Sequence, residues 1–158
     1  MSSQEKKDIQ GKFCFLKDQN MAWKIKNEIL KFSKEKNILI YGRTLRAKES
    51  FVNQMIDLSV EGKYDTLYIK DDKNIGFATF IKHIDSIEIF FAFHTSRDIF
   101  LAKKNFFCAL DIIKKKYECN KFWFSFCPRD NFEKYKQFII SYMGFSENKK
   151  DKRFELEI

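Results

Sequence analysis

A chain of 158 residues buries about two-thirds of the surface its unfolded form exposes, so it needs no disulfide or metal to support a core. Hydrophobic residues make up 44% and aromatic residues 17%, with 19 Phe, which excludes intrinsic disorder over most of the length. The formal charge of +8 favours an anionic partner: nucleic acid, an acidic protein or a phosphorylated cofactor. The charge is nevertheless spread along the chain. Lys, Asn, Ile and Phe are abundant together, as under AT-rich codon bias, and the longest basic run, Lys114-Lys115-Lys116, complements the C-terminal dipole of a helix without any partner.

The first residues, Met1 to Gln10, read as a loose polar tail with neither an apolar signal region nor a myristoylation site. No apolar run approaches the ~20 residues that span a bilayer, so a soluble, cytoplasmic protein is expected. Cys14, Cys108, Cys119 and Cys127 contain no C-x-x-C pair, and only His83 and His94 could join them; no metal site is expected, and buried, reduced thiols are the simpler reading.

Phe13 to Leu16 reads as a short strand, followed by a helix from about Asn20 to Lys34 on which Ala22, Ile25, Ile29 and Phe32 recur at helical spacing. Ile38 to Tyr41 is a short β-prone run ended by Gly42. A second helix is predicted from Arg46 to Leu58, with Phe51, Met55 and Leu58 on its stripe and Gly62 as a stop signal. From Thr66 the period becomes extended. Thr66 to Lys70, Asn74 to Lys82 and Ser86 to Phe93 form an antiparallel meander, with turn residues at Asp71 to Asn74 and His83 to Ser86. Strict alternation in the third run puts Glu88, Phe90, Ala92 and His94 on one face and Ile87, Ile89, Phe91 and Phe93 on the other.

The next helix, from Ser96 or Arg97 to about Tyr117, carries Ile99, Ala102, Phe106, Ala109, Ile113 and Tyr117 on one stripe, and is long enough to cross to a parallel strand at Lys121 to Cys127. Pro128 ends that strand, and Asp130 or Asn131 can cap a further helix carrying Phe132, Tyr135, Ile139 and Tyr142. Gly144 stops it. Phe154 to Ile158 alternates as a final strand. The fold class is α+β: a central, mixed, mostly antiparallel twisted sheet with helices on both faces.

This order resembles the GNAT superfamily of N-acetyltransferases over most of the chain. Three segments carry the resemblance: Asn74-Ile75-Gly76-Phe77, like the family's opening of a central strand; Arg97 onward, like its phosphate loop; and Met143-Gly144-Phe145, like its terminal Gly-Phe signature. The resemblance implies one GNAT-like domain over residues 11–158 behind a flexible tail. It also implies acetyl-coenzyme A as cofactor and acetyl transfer to an amine acceptor, either a small molecule or a protein.

In that family a Q/R-x-x-G-x-G/A loop at the start of the crossover helix holds the cofactor's pyrophosphate on backbone N–H groups. The matching stretch is Arg97-Asp98-Ile99-Phe100-Leu101-Ala102, where Arg97 and Ala102 fit the ends and Phe100 stands at the middle glycine position. The implied cofactor-binding residues are these six, with Phe91, Ala92 and Phe93 of the preceding strand and Asn131 after the next. The family's helical tyrosine, which protonates the leaving thiolate, has no residue in register: Ile140 stands four residues before Gly144, and Tyr142 only two. At 3.6 residues per turn that offset is a rotation of roughly 200°. Tyr142 and His94, the latter at the end of the central strand and able to act as a general base or to bond Thr95 or Ser96, are the candidate catalytic residues.

Phe100 and the displaced tyrosine also support a second function, a catalytically inactive protein of this fold that binds a protein or nucleic acid. Lys63-Tyr64 and Lys134-Tyr135-Lys136 are its candidate stacking sites. Small size and composition further resemble proteins of phages and mobile elements.

Overall fold

A computed structural model describes residues 2–10, 12–32, 49–71, 74–94, 96, 98–126 and 132–158. The predicted run at Ile38 to Tyr41, the start of the second predicted helix, and Arg97, Cys127 and Asn131 lie outside the described residues. Among the described residues a seven-stranded sheet runs in the order β1-β2-β3-β4-β5-β7-β6. Its strands are β1 (Cys14–Phe15), β2 (Asp65–Lys70), β3 (Ile75–Lys82), β4 (Ile87–His94), β5 (Lys121–Ser125), β6 (Ser146–Asn148) and β7 (Arg153–Glu157). Every neighbouring pair is antiparallel except β4 and β5, the two strands joined by the long helix α4 (Ile99–Tyr117). No described helix is long and apolar enough to cross a membrane.

Two helices, α2 (Gln19–Phe32) and α3 (Glu49–Val60), bury one face of the sheet, with Ala22, Ile25, Val52, Met55 and Ile56 packed against Ile75, Phe77 and Phe91. Asp18 caps α2 by accepting from the Met21 N–H at 2.8 Å. Beneath α3 a chain of buried hydroxyls ties helix to sheet: Ser59 to Thr66 at 2.7 Å and Thr66 to Thr79 at 2.9 Å. Each is satisfied, which is what allows polar side chains in this layer.

The opposite face carries the larger core. Phe106, Ala109, Leu110 and Ile113 of α4 meet Ala78, Phe80, Ile87, Ile89, Ala92, Phe122 and Phe124 of the sheet. The chain then continues through α5 (Phe132–Gln137) into a π-helical segment, Phe138–Tyr142, whose Ile139 is fully buried in the same core. Gly144, at φ +82°, ends that segment in the left-handed region as the sequence predicts.

Three departures from the sequence reading have local causes. Residues Ser3–Gln10, read as a loose tail, form helix α1, which lies along α4 through Lys6–Asp111 (3.2 Å) and Lys104–Glu5 (3.8 Å) ion pairs. Ser146–Asn148, assigned to no element, pairs with β7 and closes a terminal hairpin. Third, strict alternation fails in β4. Thr79 pairs with Phe91 but Phe80 pairs with Ile89, leaving Phe90 as an extra, bulged residue. The bulge reverses the parity of the strand, so Ile87 and Ile89 share the α4 face with Ala92 and His94, while Glu88 turns to the other face.

Candidate active site

The parallel strands β4 and β5 share only two register pairs, Ile87 with Phe122 and Glu88 with Trp123. Both strands continue beyond them, β4 to His94 and β5 to Ser125. Beyond Glu88 and Trp123 no further register pair joins the two strands. The bulge at Phe90 sits two residues past the last pair, and a bulge bends the strand that carries it. The ladder between the two strands thus ends at the Glu88–Trp123 level, leaving an opening in the pairing on the side of the α4 N-terminus.

His94 ends β4 inside the protein, 5% exposed. Its Nδ1 accepts the Ser96 N–H at 3.0 Å, and its Nε2 lies 2.9 Å from the Asn105 side-chain amide. A ring nitrogen that accepts a backbone N–H holds a lone pair, so the neutral ring carries its proton on Nε2; the Asn105 atom opposite is Nδ2, also a donor, and the amide accepts that proton only when turned so that its oxygen faces the ring. Burial pushes the ring's pKa below the ordinary histidine value, more than the nearby Asp71 carboxylate raises it. The single lone pair is taken by Ser96, so in this arrangement the ring joins the end of β4 to α4 and has nothing free to receive a substrate proton. Asn105 was missed as its partner; the signal was a polar residue amid the apolar stripe of α4.

Gly76, opposite His94 across the β3–β4 pair, leaves room for that ring: a Cβ there would lie 2.7 Å from His94 Cδ2. Ala92, His94 and Ala102 come together with Gly76, Asn105 and Phe106 around a cavity of about 20 Å³, enough for roughly one water. Phe91 does not join them. Its side chain faces α2 and α3 and packs edge-on against Phe77 at 6.1 Å, so only its backbone could serve a ligand in the opening. The backbone of Phe93 lies in β4 one residue before His94.

At the α4 N-terminus, Asp98 is the helix cap. Its Oδ1 accepts the N–H groups of Phe100 at 3.0 Å and Leu101 at 3.2 Å. These are the unpaired first-turn donors that make a helix start attractive to anions, and here a carboxylate of the chain itself holds them. Ile99, placed on the apolar stripe by spacing, is 38% exposed, and Phe100 is 74% exposed beside it. Ala102 is buried, and Leu101 half-buried.

Tyr142 is not rotated away from this corner. The segment that carries it is π-helical, with the Met143 N–H donating to the Phe138 carbonyl at 3.1 Å, and its contacts bring the ring to the start of α4. The Tyr142 ring stacks on Phe138 (5.3 Å) and meets Phe100 edge-on (6.2 Å), while the Lys103 ammonium lies 4.5 Å from its centroid. Its hydroxyl is buried without a hydrogen-bond partner among the described residues.

The candidate stacking sites are occupied internally. Tyr64 packs on Phe90 (5.5 Å), Tyr135 on Phe154 (6.3 Å), and Lys136 pairs with Glu147 at 2.7 Å. Among the described residues no three His, Cys, Asp or Glu side chains gather as a metal site would require.

No family model matches the sequence, and no curated protein matches it. Solved structures do match. The ribosomal L7/L12 alpha-N-protein acetyltransferase RimL superposes with a TM-score of 0.58 at 10% identity, over 93% of this chain and 94% of that one. A GNAT-family acetyltransferase from Bacillus anthracis gives 0.56 at 12% identity, over the same shares of each chain. At such identities the likeness concerns architecture: the chain has the fold of the GNAT acetyltransferases.

Proposed function

We propose that this protein binds an acyl-coenzyme A, with acetyl-coenzyme A the simplest case, in the opening between β4 and β5 and passes the acyl group to an amine. The observation that carries this reading is the short β4–β5 pairing, two register pairs on strands of eight and five residues. Beside so short a ladder, an extended chain bearing amides, such as the pantetheine arm, has two strand edges to lie along. Holding the thioester there converts an encounter into a positioned reaction. The thioester supplies an activated acyl group; the protein supplies orientation and proton handling.

The residues fit the arm better than the phosphates. For a pyrophosphate to reach the first turn of α4, Asp98 must swing away from the Phe100 and Leu101 N–H groups, and Phe100 must turn aside. That occupancy favours a second reading, in which the fold is retained as a binding protein for a macromolecular partner and the cofactor is not used.

Thermal unfolding with and without acetyl-coenzyme A separates the two. A ligand at 100 times its Kd stabilises the folded state by about 2.7 kcal/mol, a rise of several degrees for a chain of this size. An unchanged midpoint at millimolar acetyl-coenzyme A rejects the acyltransferase and leaves the binding protein.

A further inference from the structure

The geometry points to His83 as the base that takes the acceptor's proton, with Glu88 as its positioning residue; this assignment rests on the acyl-transfer reading above. Glu88 and Trp123 form the last register pair before β4 and β5 part, so they are the floor of the opening. Their side chains leave the sheet on the face opposite α4, because Ile87, Ile89, Phe122 and Phe124 on either side of them fill the α4 core. An acyl-coenzyme A with its phosphates at α4 and its thioester in the opening is therefore met from this second face by the incoming amine.

On that face Glu88, buried, lies with Oε1 3.0 Å from His83 Nε2. The imidazole also stacks on the Trp123 indole, centroids 5.5 Å apart and planes 29° apart, and the indole is itself fixed by donating to Ser86 Oγ at 3.0 Å. A carboxylate accepting from Nε2–H selects the tautomer whose lone pair is on Nδ1. No described residue bonds Nδ1, and the His83 side chain is 43% exposed. The contrast with His94 is direct: there both ring nitrogens are engaged and the ring is buried. Charged groups beside the pair are Lys82, whose ammonium donates to the His83 and Ile84 carbonyls, and Arg153 and Glu155 of β7 at Trp123, which neutralise each other at 2.6 Å.

The step balances without a further reactant. An ammonium gives one proton to His83 Nδ1, and the freed amine attacks the thioester carbonyl carbon as the C–N bond forms. The C–S bond then breaks, the second nitrogen-bound proton leaves with the sulfur as thiol, and the imidazolium returns its proton to solvent through its exposed edge.

The test uses the full chain and its His83→Gln and Glu88→Gln variants. Acetyl-coenzyme A binding is read from the unfolding midpoint, and thiol release is followed with spermidine and with an alanyl peptide carrying a free α-amine. Carbethoxylation of histidine, mapped by mass spectrometry, gives a readout independent of turnover. Expected are equal cofactor-induced shifts in all three proteins and modification of His83 but not His94. Thiol release by His83→Gln should fall about 100-fold near neutral pH, and the deficit should narrow towards roughly pH 10, where amines lose the proton unaided. A deficit that is constant with pH, an unchanged rate, an unmodified His83, or binding without turnover on either amine overturns the assignment. An absent shift in the wild-type protein instead removes the acyl-transfer reading, and the assignment with it.

Discussion

A methyl group on Gly76 would meet His94 Cδ2 at 2.7 Å and Ile69 Cγ2 at 3.0 Å, both on buried side chains. Gly76→Ala is therefore expected to destabilise the protein by about 1–3 kcal/mol, the usual range for overpacking, seen as a lower urea midpoint at unchanged slope. His94 makes a second prediction. Burial lowers its folded-state pKa below the unfolded value, so the unfolded chain binds the proton first as pH falls. The stability present above about pH 6.5 is lost as pH drops through the folded-state pKa, and His94→Gln should flatten that part of the profile. Denaturant melts from pH 7.5 down to pH 5 check it; an identical slope in both proteins rejects it. The position of His94 at the strand end was legible in the sequence, and Gly76 stood out as part of a motif. Their connection was not, because the ring's second partner, Asn105, lies eleven residues on and in another element.

Among the elements, α4 and the strands β2 to β5 follow from periodicity because each has a strong apolar pattern and clear ends. The start of α4 was legible in a way that matters for function, since Asp98 is both a good cap and a poor neighbour for phosphate. Removing it should have opposite effects on two observables. Asp98→Ala is expected to cost about 0.5–2 kcal/mol of stability by loss of the cap, yet to increase the midpoint shift produced by acetyl-coenzyme A. Phe100→Gly on the same background should increase it further. A variant with lowered stability and no gain in ligand response would show that Asp98 serves the helix alone. The π-helical turn escaped detection because Phe138-Ile139-Ile140-Ser141-Tyr142 reads equally well at either pitch. Helix α1 escaped because the contacts described between it and α4 are ion pairs, which a hydrophobic pattern does not register and which contribute below about 1 kcal/mol each.

Over the whole molecule, one sheet separates two apolar layers, and the ladder between its parallel strands β4 and β5 stops after two register pairs. The fold was legible at this scale because element order constrains topology strongly: a meander followed by a crossover helix leaves few ways to place the fifth strand. The net charge of +8 was less informative. Individual lysines are tied to local partners, Lys70 to Glu28 at 2.5 Å, Lys116 to Asp65 at 2.5 Å and Lys103 to the Tyr142 ring, so the formal total does not by itself point to a partner.

What alternation could not reveal was the phase of β4. Ile87-Glu88-Ile89-Phe90-Phe91-Ala92-Phe93-His94 is apolar on both faces, so a slip of one residue leaves no mark in the pattern. Phe90 thus acts as a spacer whose presence matters more than its kind. Phe90→Leu should fold with a modest loss, whereas deleting residue 90 would exchange inside and outside for either Ile87 and Ile89 or Ala92 and His94, and is expected to abolish cooperative unfolding. In a lineage of such chains, position 90 could drift in identity while the length of β4 stayed fixed, a constraint on counting that a comparison of residue types alone would overlook.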